Sequence, residues 1–275
     1  GTARGDAART VLCVAFSADG EAVYAGTADG CVQVWSASGT CEDVVSINRQ
    51  QPVFALHCSA VGLLAAGKGG RVLWWPGTRP ASAPLVAADA RALDLTSVLG
   101  AAGDDSGRPL AYLTGRAPCV RAMGAANGNL VLATRGGELW QLPLPWDTPI
   151  AASLSMDGAA VGGGSSNDGT AAIAPARLLV QGHSAPKSGH ASDGEANALA
   201  MDPSDGDLFV SGGDDGSVRV WSVSKRRMLA MRVLPLPVTA LAYTNDGAHI
   251  ACGCAGASVY VLHADSLADA LVFSL

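Results

Sequence analysis

By type, His183, Ser211 and Asp215 are the residues of this chain best suited to covalent chemistry. A histidine between a hydroxyl and a carboxylate can take the hydroxyl proton while the carboxylate fixes the ring, which turns serine into a nucleophile. The local sequence argues against that use. There is no G-x-S-x-G turn to lift a serine out of a sheet, and no oxyanion-type loop. His183 and His190 could be taken as a metal pair, but His190 stands in a Gly/Ser-rich stretch with no regular spacing to bring it to a site. Asp104-Asp105 and Asp214-Asp215 are adjacent carboxylates. Neighbours on an extended chain point apart, and turn aspartates bond their own backbone. The glycines near Lys68 and at 162–164 do not lie between a strand and a helix, and no GxxxxGK[ST] is present, so no phosphate cradle is predicted. The sequence thus predicts no catalytic, cofactor or metal site. Lys225-Arg226-Arg227 is the only compact basic run. It reads as a solvated hairpin tip or as a contact for an acidic partner.

The elements that hold these residues repeat. AFSADGEAVYAGTADGCVQVW (15–35), DPSDGDLFVSGGDDGSVRVW (202–221) and AYTNDGAHIACGCAGASVYVL (242–262) share one grammar. In each, an Asp-Gly turn (Asp19, Asp205, Asp246) precedes a closing residue (Trp35, Trp221, Leu262) by 16 positions. A second tight turn (Asp29, Asp215, Gly256) precedes it by six. Turn, strand, turn, strand ending on Trp resembles the WD repeat and implies an all-β chain folded as a WD-repeat β-propeller. In WD repeats a His/Ser/Asp/Trp set forms a buried hydrogen-bond relay that locks the strands of a blade. The resemblance therefore gives His183, Ser211, Asp215 and Trp221 a structural role, and only this unit carries the complete set.

About five blades can be read. Residues 1–75 hold two, with closing positions Trp35 and Trp75, and 118–142 hold a weaker one around Asn127-Gly128, a strong hairpin signal. Residues 178–275 hold two more and the first strand of a further unit, the fourth blade starting near Leu178. Closing positions lie 40 residues apart in the first pair and 41 in the last, the period of a four-stranded blade. The intervening gaps of 67 and 79 residues carry extra chain. Segment 76–117 reads as a loop insertion or a degenerate blade, and 143–177 as a Gly/Ala/Ser-rich loop. Five blades are few for a closed ring and the chain begins without Met, so it is expected to be an excerpt spanning parts of one or two propellers.

Composition narrows the functional classes. The formal net charge of −6 argues against nucleic acid held by bulk electrostatics, and no apolar run is long enough for a membrane helix. Seven cysteines without a CxxC pair read as reduced core thiols of an intracellular protein.

The ordered phrases TVLCVAF, PVFAL, GKGGRVLWW, VRAMGAANGNLVLATRGGEL, LLVQGH and ANALAMDPSDGDLFVSGGDDGSVRVWSVSKRRMLAMRVL, ending in DGAHIACGCAGASVYVLHADSLADALVF, add a narrower resemblance. The series is similar to the tandem-propeller region of the echinoderm microtubule-associated protein-like (EMAP-like) family. That resemblance implies a non-enzymatic protein of the cytoplasm and cytoskeleton, including the axoneme of cilia and flagella, that docks on tubulin, microtubules or other axonemal proteins. It implies no cofactor. The alternative is a general WD-repeat scaffold in another intracellular complex.

Overall fold

The computed structural model describes residues 10–47, 51–60, 62–77, 84–100, 118–144, 177–181, 183 and 194–274. They form five four-stranded antiparallel sheets, each a meander in chain order. The first blade is β1 (Val11–Phe16), β2 (Ala22–Thr27), β3 (Cys31–Ser36) and β4 (Cys41–Ser46). The second is β5 (Val53–Ser59), β6 (Gly62–Gly67), β7 (Arg71–Pro76) and β8 (Arg91–Asp94), followed by one short helix, α1 (Leu95–Gly100). The third is β9 (Val120–Ala126), β10 (Asn129–Thr134), β11 (Glu138–Pro143) and β12 (Arg177–Gln181). The fourth is β13 (Ala196–Met201), β14 (Leu208–Gly213), β15 (Ser217–Ser222) and β16 (Arg227–Val233). The fifth is β17 (Val238–Tyr243), β18 (His249–Cys254), β19 (Ser258–His263) and β20 (Asp269–Ser274).

Local chemistry sets the hairpins. Asn127 and Gly128 both take positive φ, 49° and 71°, the pair a type I′ turn requires between β9 and β10. Thr27, Thr134 and Gly213 end the second strands of their blades, and a left-handed glycine (Gly30, Gly137, Gly216) starts each return. The fifth blade places Ala257 there instead, at φ 62°.

Two outer strands lie where the sequence predicted other things. Arg91–Asp94, inside the 76–117 segment, pairs with β7 and completes the second blade. Leu178, assigned from sequence to the fourth blade, belongs to β12, which pairs with β11 and completes the third. In both blades the connection from the third strand to the outer strand is long, so neither strand falls at the regular repeat distance. Of the two insertions, 78–83, 101–117 with Asp104-Asp105, and 145–176 lie outside the described residues, as do Gly182 and His190.

Adjacent blades pack face to face, and each face buries the apolar residues of alternate strand positions. Four cores result. One joins Tyr24, Val32 and Val34 to Leu63, Leu73 and Trp75. A second joins Leu64, Val72 and Trp74 to Leu130, Leu132 and Trp140. The third joins Val131 and Leu139 to Phe209 and Trp221, and the fourth joins Val210 and Val220 to Ile250, Cys252 and Leu262. Each fully buried Leu, Val or Phe contributes roughly 1.5–3 kcal/mol, against about 1 kcal/mol for a typical hydrogen bond. These cores therefore hold the blades together, and polar contacts only tune them. Among the described residues no such core joins the first blade to the fifth.

Candidate functional site

The polar set of the fourth blade comes together. The Trp221 indole N–H donates to Ser211 Oγ at 2.8 Å, and Ser211 Oγ lies 2.7 Å from His183 Nε2. His183 Nδ1 lies 3.0 Å from Asp215 Oδ1. An ionised carboxylate only accepts, so Nδ1 carries the proton, Nε2 accepts from the Ser211 hydroxyl, and every polar atom has one direction. Asp215 also accepts from the Ser217 hydroxyl at 2.7 Å and from Arg219 at 2.7 Å. Burial pushes its carboxyl up, but the hydrogen bond from His183 and the bonds from Ser217 outweigh that and hold it well below the usual carboxylate range.

This geometry is a lock and not a nucleophile. His183 is 1% exposed and Ser211 is fully buried, so no substrate carbonyl can reach the hydroxyl. The hydroxyl also already accepts the Trp221 indole proton. His183 follows β12 of the third blade yet bonds within the fourth, so it fastens the two blades as well as the strands. Gly213 makes room for it: a Cβ there would lie 2.8 Å from His183 Cγ and 2.5 Å from Glu195 O.

Lys225, Arg226 and Arg227 stand at the β15–β16 hairpin tip. Asp207 folds that tip by accepting from Ser222 Oγ at 2.6 Å, the Ser224 amide at 2.7 Å and Ser224 Oγ at 3.0 Å. Burial opposes ionisation of Asp207, and these bonds together with the Lys225 charge overcome it, so its carboxyl sits low. Lys225 and Arg227 are exposed.

A second polar surface was not found from sequence. Every inner strand carries a β-bulge at its second residue, which leaves Leu12, Phe54, Arg121, Asn197 and Thr239 without a ladder partner. A bulge re-aims the extra side chain, here at the end of the blades where the second hairpin turns lie. Arg121 stacks over the Phe54 ring at 4.4 Å and donates through Nε to Glu195 Oε2 at 2.8 Å. Arg135, from the β10–β11 turn, donates to Glu195 Oε1 at 2.6 Å while its side chain remains 68% exposed. Asn197 donates to Asp214 at 2.7 Å. The result is a rim of fixed charges on the third and fourth blades, with Phe54 of the second under Arg121, at the end opposite the Lys225–Arg227 tip. The one sequence signal was Arg121 itself, a charge in an otherwise apolar strand. Its partner Glu195 is 74 residues away. Cys119 beside this rim has its thiol pushed up by burial, so it is no thiolate nucleophile. Among the described residues no three His, Cys, Asp or Glu side chains gather as metal ligands.

The model of the family described as "WD domain, G-beta repeat" matches residues 2–36 and 182–222, the first and fourth blades. The described residues form five blades of a β-propeller, and the first and fourth of them match the WD40 repeat. Among solved structures the propeller is similar to the Myceliophteria thermophila Cps50 (Swd1) β-propeller domain, with TM-score 0.62 and 14% identity over 98% of this chain and 73% of that one. It is also similar to U3-55K and to the RRP9 WD40 repeats, each with TM-score 0.59, 18% identity and 96% of this chain covered, spanning 67% and 66% of those chains. At these identities the likeness shows the fold alone. A curated relative, "Ribosome biogenesis protein BOP1 homolog" of Brugia malayi, is 36% identical over 66 residues, which is 24% of this chain and 9% of that protein. The propeller thus spans only a small part of that relative. The likeness to the EMAP-like family finds no support among these matches.

Proposed function

We propose that this propeller is a non-enzymatic protein-interaction scaffold in an intracellular multiprotein assembly, and that the assembly is of the ribosome-biogenesis kind. One observation carries the scaffold reading: among the described residues the one nucleophile-like constellation is consumed inside a blade, whereas ordered charged groups are presented at both blade ends. The WD repeats support protein partners, and the 36% likeness to the BOP1 homologue supports the assembly. Seven unpaired cysteines, several of them buried, fit a reducing compartment. Tubulin binding rests on the order of the sequence phrases alone.

The test is affinity purification of the tagged chain from cells, alongside an Arg135→Glu variant, with mass spectrometry of what co-purifies. Enrichment of ribosome-assembly proteins that the variant loses supports the proposal. Salt-sensitive cosedimentation with microtubules and no such enrichment would return the reading to the cytoskeleton.

A further inference from the structure

The outer strand of the fourth blade differs from those of the first and second. β16 spans seven residues, RMLAMRV, pairs among the described residues only with β15, and exposes Met228, Leu229, Met231 and Val233. An open strand edge is a template for another chain, and proteins blunt such edges with charge, brevity or cover. β4 carries Glu42 and Asp43, with Asp43 tied to the Leu85 amide at 3.0 Å, and β8 has only four residues and begins and ends on the charges of Arg91 and Asp94. β20 is apolar too, but its blade is packed on one face only, whereas the fourth blade is packed on both. The exposure of β16 therefore does not come from a missing neighbouring blade.

Its side chains divide by face. Ala230 packs toward the fifth blade, and Arg232 ties the strand there through Leu267 O at 2.6 Å and Asp269 at 2.7 Å. Met228, Met231 and Val233 lie on the other face, opposite Trp221, Arg219 and Ser217, and Leu229 is bulged out of register. Methionines adapt to varied apolar partners. At the head of this row stand the cations of Lys225 and Arg227.

We propose that β16 is a docking edge for an extended peptide segment of a partner protein, laid antiparallel to it, with apolar residues at alternate positions and a carboxylate-rich C-terminal end against Lys225 and Arg227. Main-chain pairing supplies affinity and the alternating side chains supply selectivity. Charge selects this occupant over a second copy of the chain. β16 contains no acidic residue, so its own duplicate would offer those cations no carboxylate. The proposal rests on the scaffold reading and names one of its partner classes.

The probe is a fluorescein-labelled peptide of alternating Val and Thr ending in a run of Glu, titrated with the whole chain and followed by anisotropy. Saturable binding is expected, weakened about tenfold or more, or roughly 1.4 kcal/mol, by Met231→Lys and by Lys225→Glu with Arg227→Glu. A central proline in the peptide should abolish it. Both variants change exposed side chains, and unaltered thermal unfolding checks that they fold. Absence of binding, equal binding to the variants, or equal binding of the proline peptide would overturn the proposal. So would a concentration-dependent dimer that Met231→Lys dissolves, since β16 would then pair with itself. If cellular partners are lost with Arg135→Glu but kept with the β16 variants, the scaffold stands and this proposal falls.

Discussion

The first and fourth blades share one sequence grammar and lock themselves differently. In the fourth, Trp221 is 5% exposed and bonded through Ser211 and His183 to Asp215. In the first, Ala25 replaces the serine, and the turn is held locally: Thr27 donates to Asp29 at 2.5 Å and accepts from the Cys31 amide at 3.0 Å. Trp35 reaches only its neighbour Gln33, at 3.2 Å, and is half-buried. On the same face Val14 and Phe16 are 61% and 68% exposed, while their counterparts in the second blade, Leu56 and Cys58, pack against the first. The repeat specifies the hairpin, but the preceding blade buries the closing tryptophan. A turn aspartate is thus an intrablade device, and the histidine relay is an interblade one.

The largest expected difference follows from burial. Trp221→Ala should cost about 3–5 kcal/mol, as for other buried aromatic truncations, and Trp35→Ala well under half of that. Urea unfolding of both variants measures the gap, and equal losses would break the comparison.

Acid should act next, in two stages. Burial pushes the imidazole of His57 below its ordinary value, and its Nε2 accepts from the Ala125 amide at 3.2 Å, across the second and third blades. The unfolded chain binds that proton first, so stability is full above pH 6.5, the ordinary histidine value, and falls below it. Asp215 has a depressed folded value, so its contribution is present above 3.8 and is lost as pH falls further. Melting temperature against pH should show the upper stage vanish in His57→Gln and the lower one in Asp215→Asn.

At neutral pH, Asp215→Asn should cost about 1–3 kcal/mol, because His183, Ser217 and Arg219 all lean on that carboxylate. Asp29→Asn, which loosens a local turn, should cost roughly 1 kcal/mol or less. The smallest effect lies in the fifth blade, where Ala257 occupies the left-handed position held by Gly30 and Gly216 elsewhere. Ala257→Gly should stabilise by about 1 kcal/mol, and a loss would mean that the turn tolerates the Cβ.

The hairpins were legible because their signals are local: Asp-Gly turns, alternating apolar strands and closing tryptophans stand within a few residues of one another. The relay was legible for the same reason, helped by the likeness to WD repeats, although His183 bonds Ser211 from 28 residues away. β8 and β12 were not. Outer strands bury little, so their apolar pattern is weak, and long connections move them off the repeat period. The rim of Arg121, Arg135 and Glu195 was hidden because it depends on bulges and on contacts between blades, which no single repeat encodes.

The histidine set fastens the fourth blade to the third through His183, Ser211, Asp215 and Trp221. A double-mutant cycle of His183→Ala and Trp221→Phe, read by equilibrium urea unfolding, tests it most directly. The relay predicts a coupling of about 0.5–3 kcal/mol, since each change disables the path the other uses. Additivity within about 0.3 kcal/mol, with His183→Ala as stable as the parent, would contradict it.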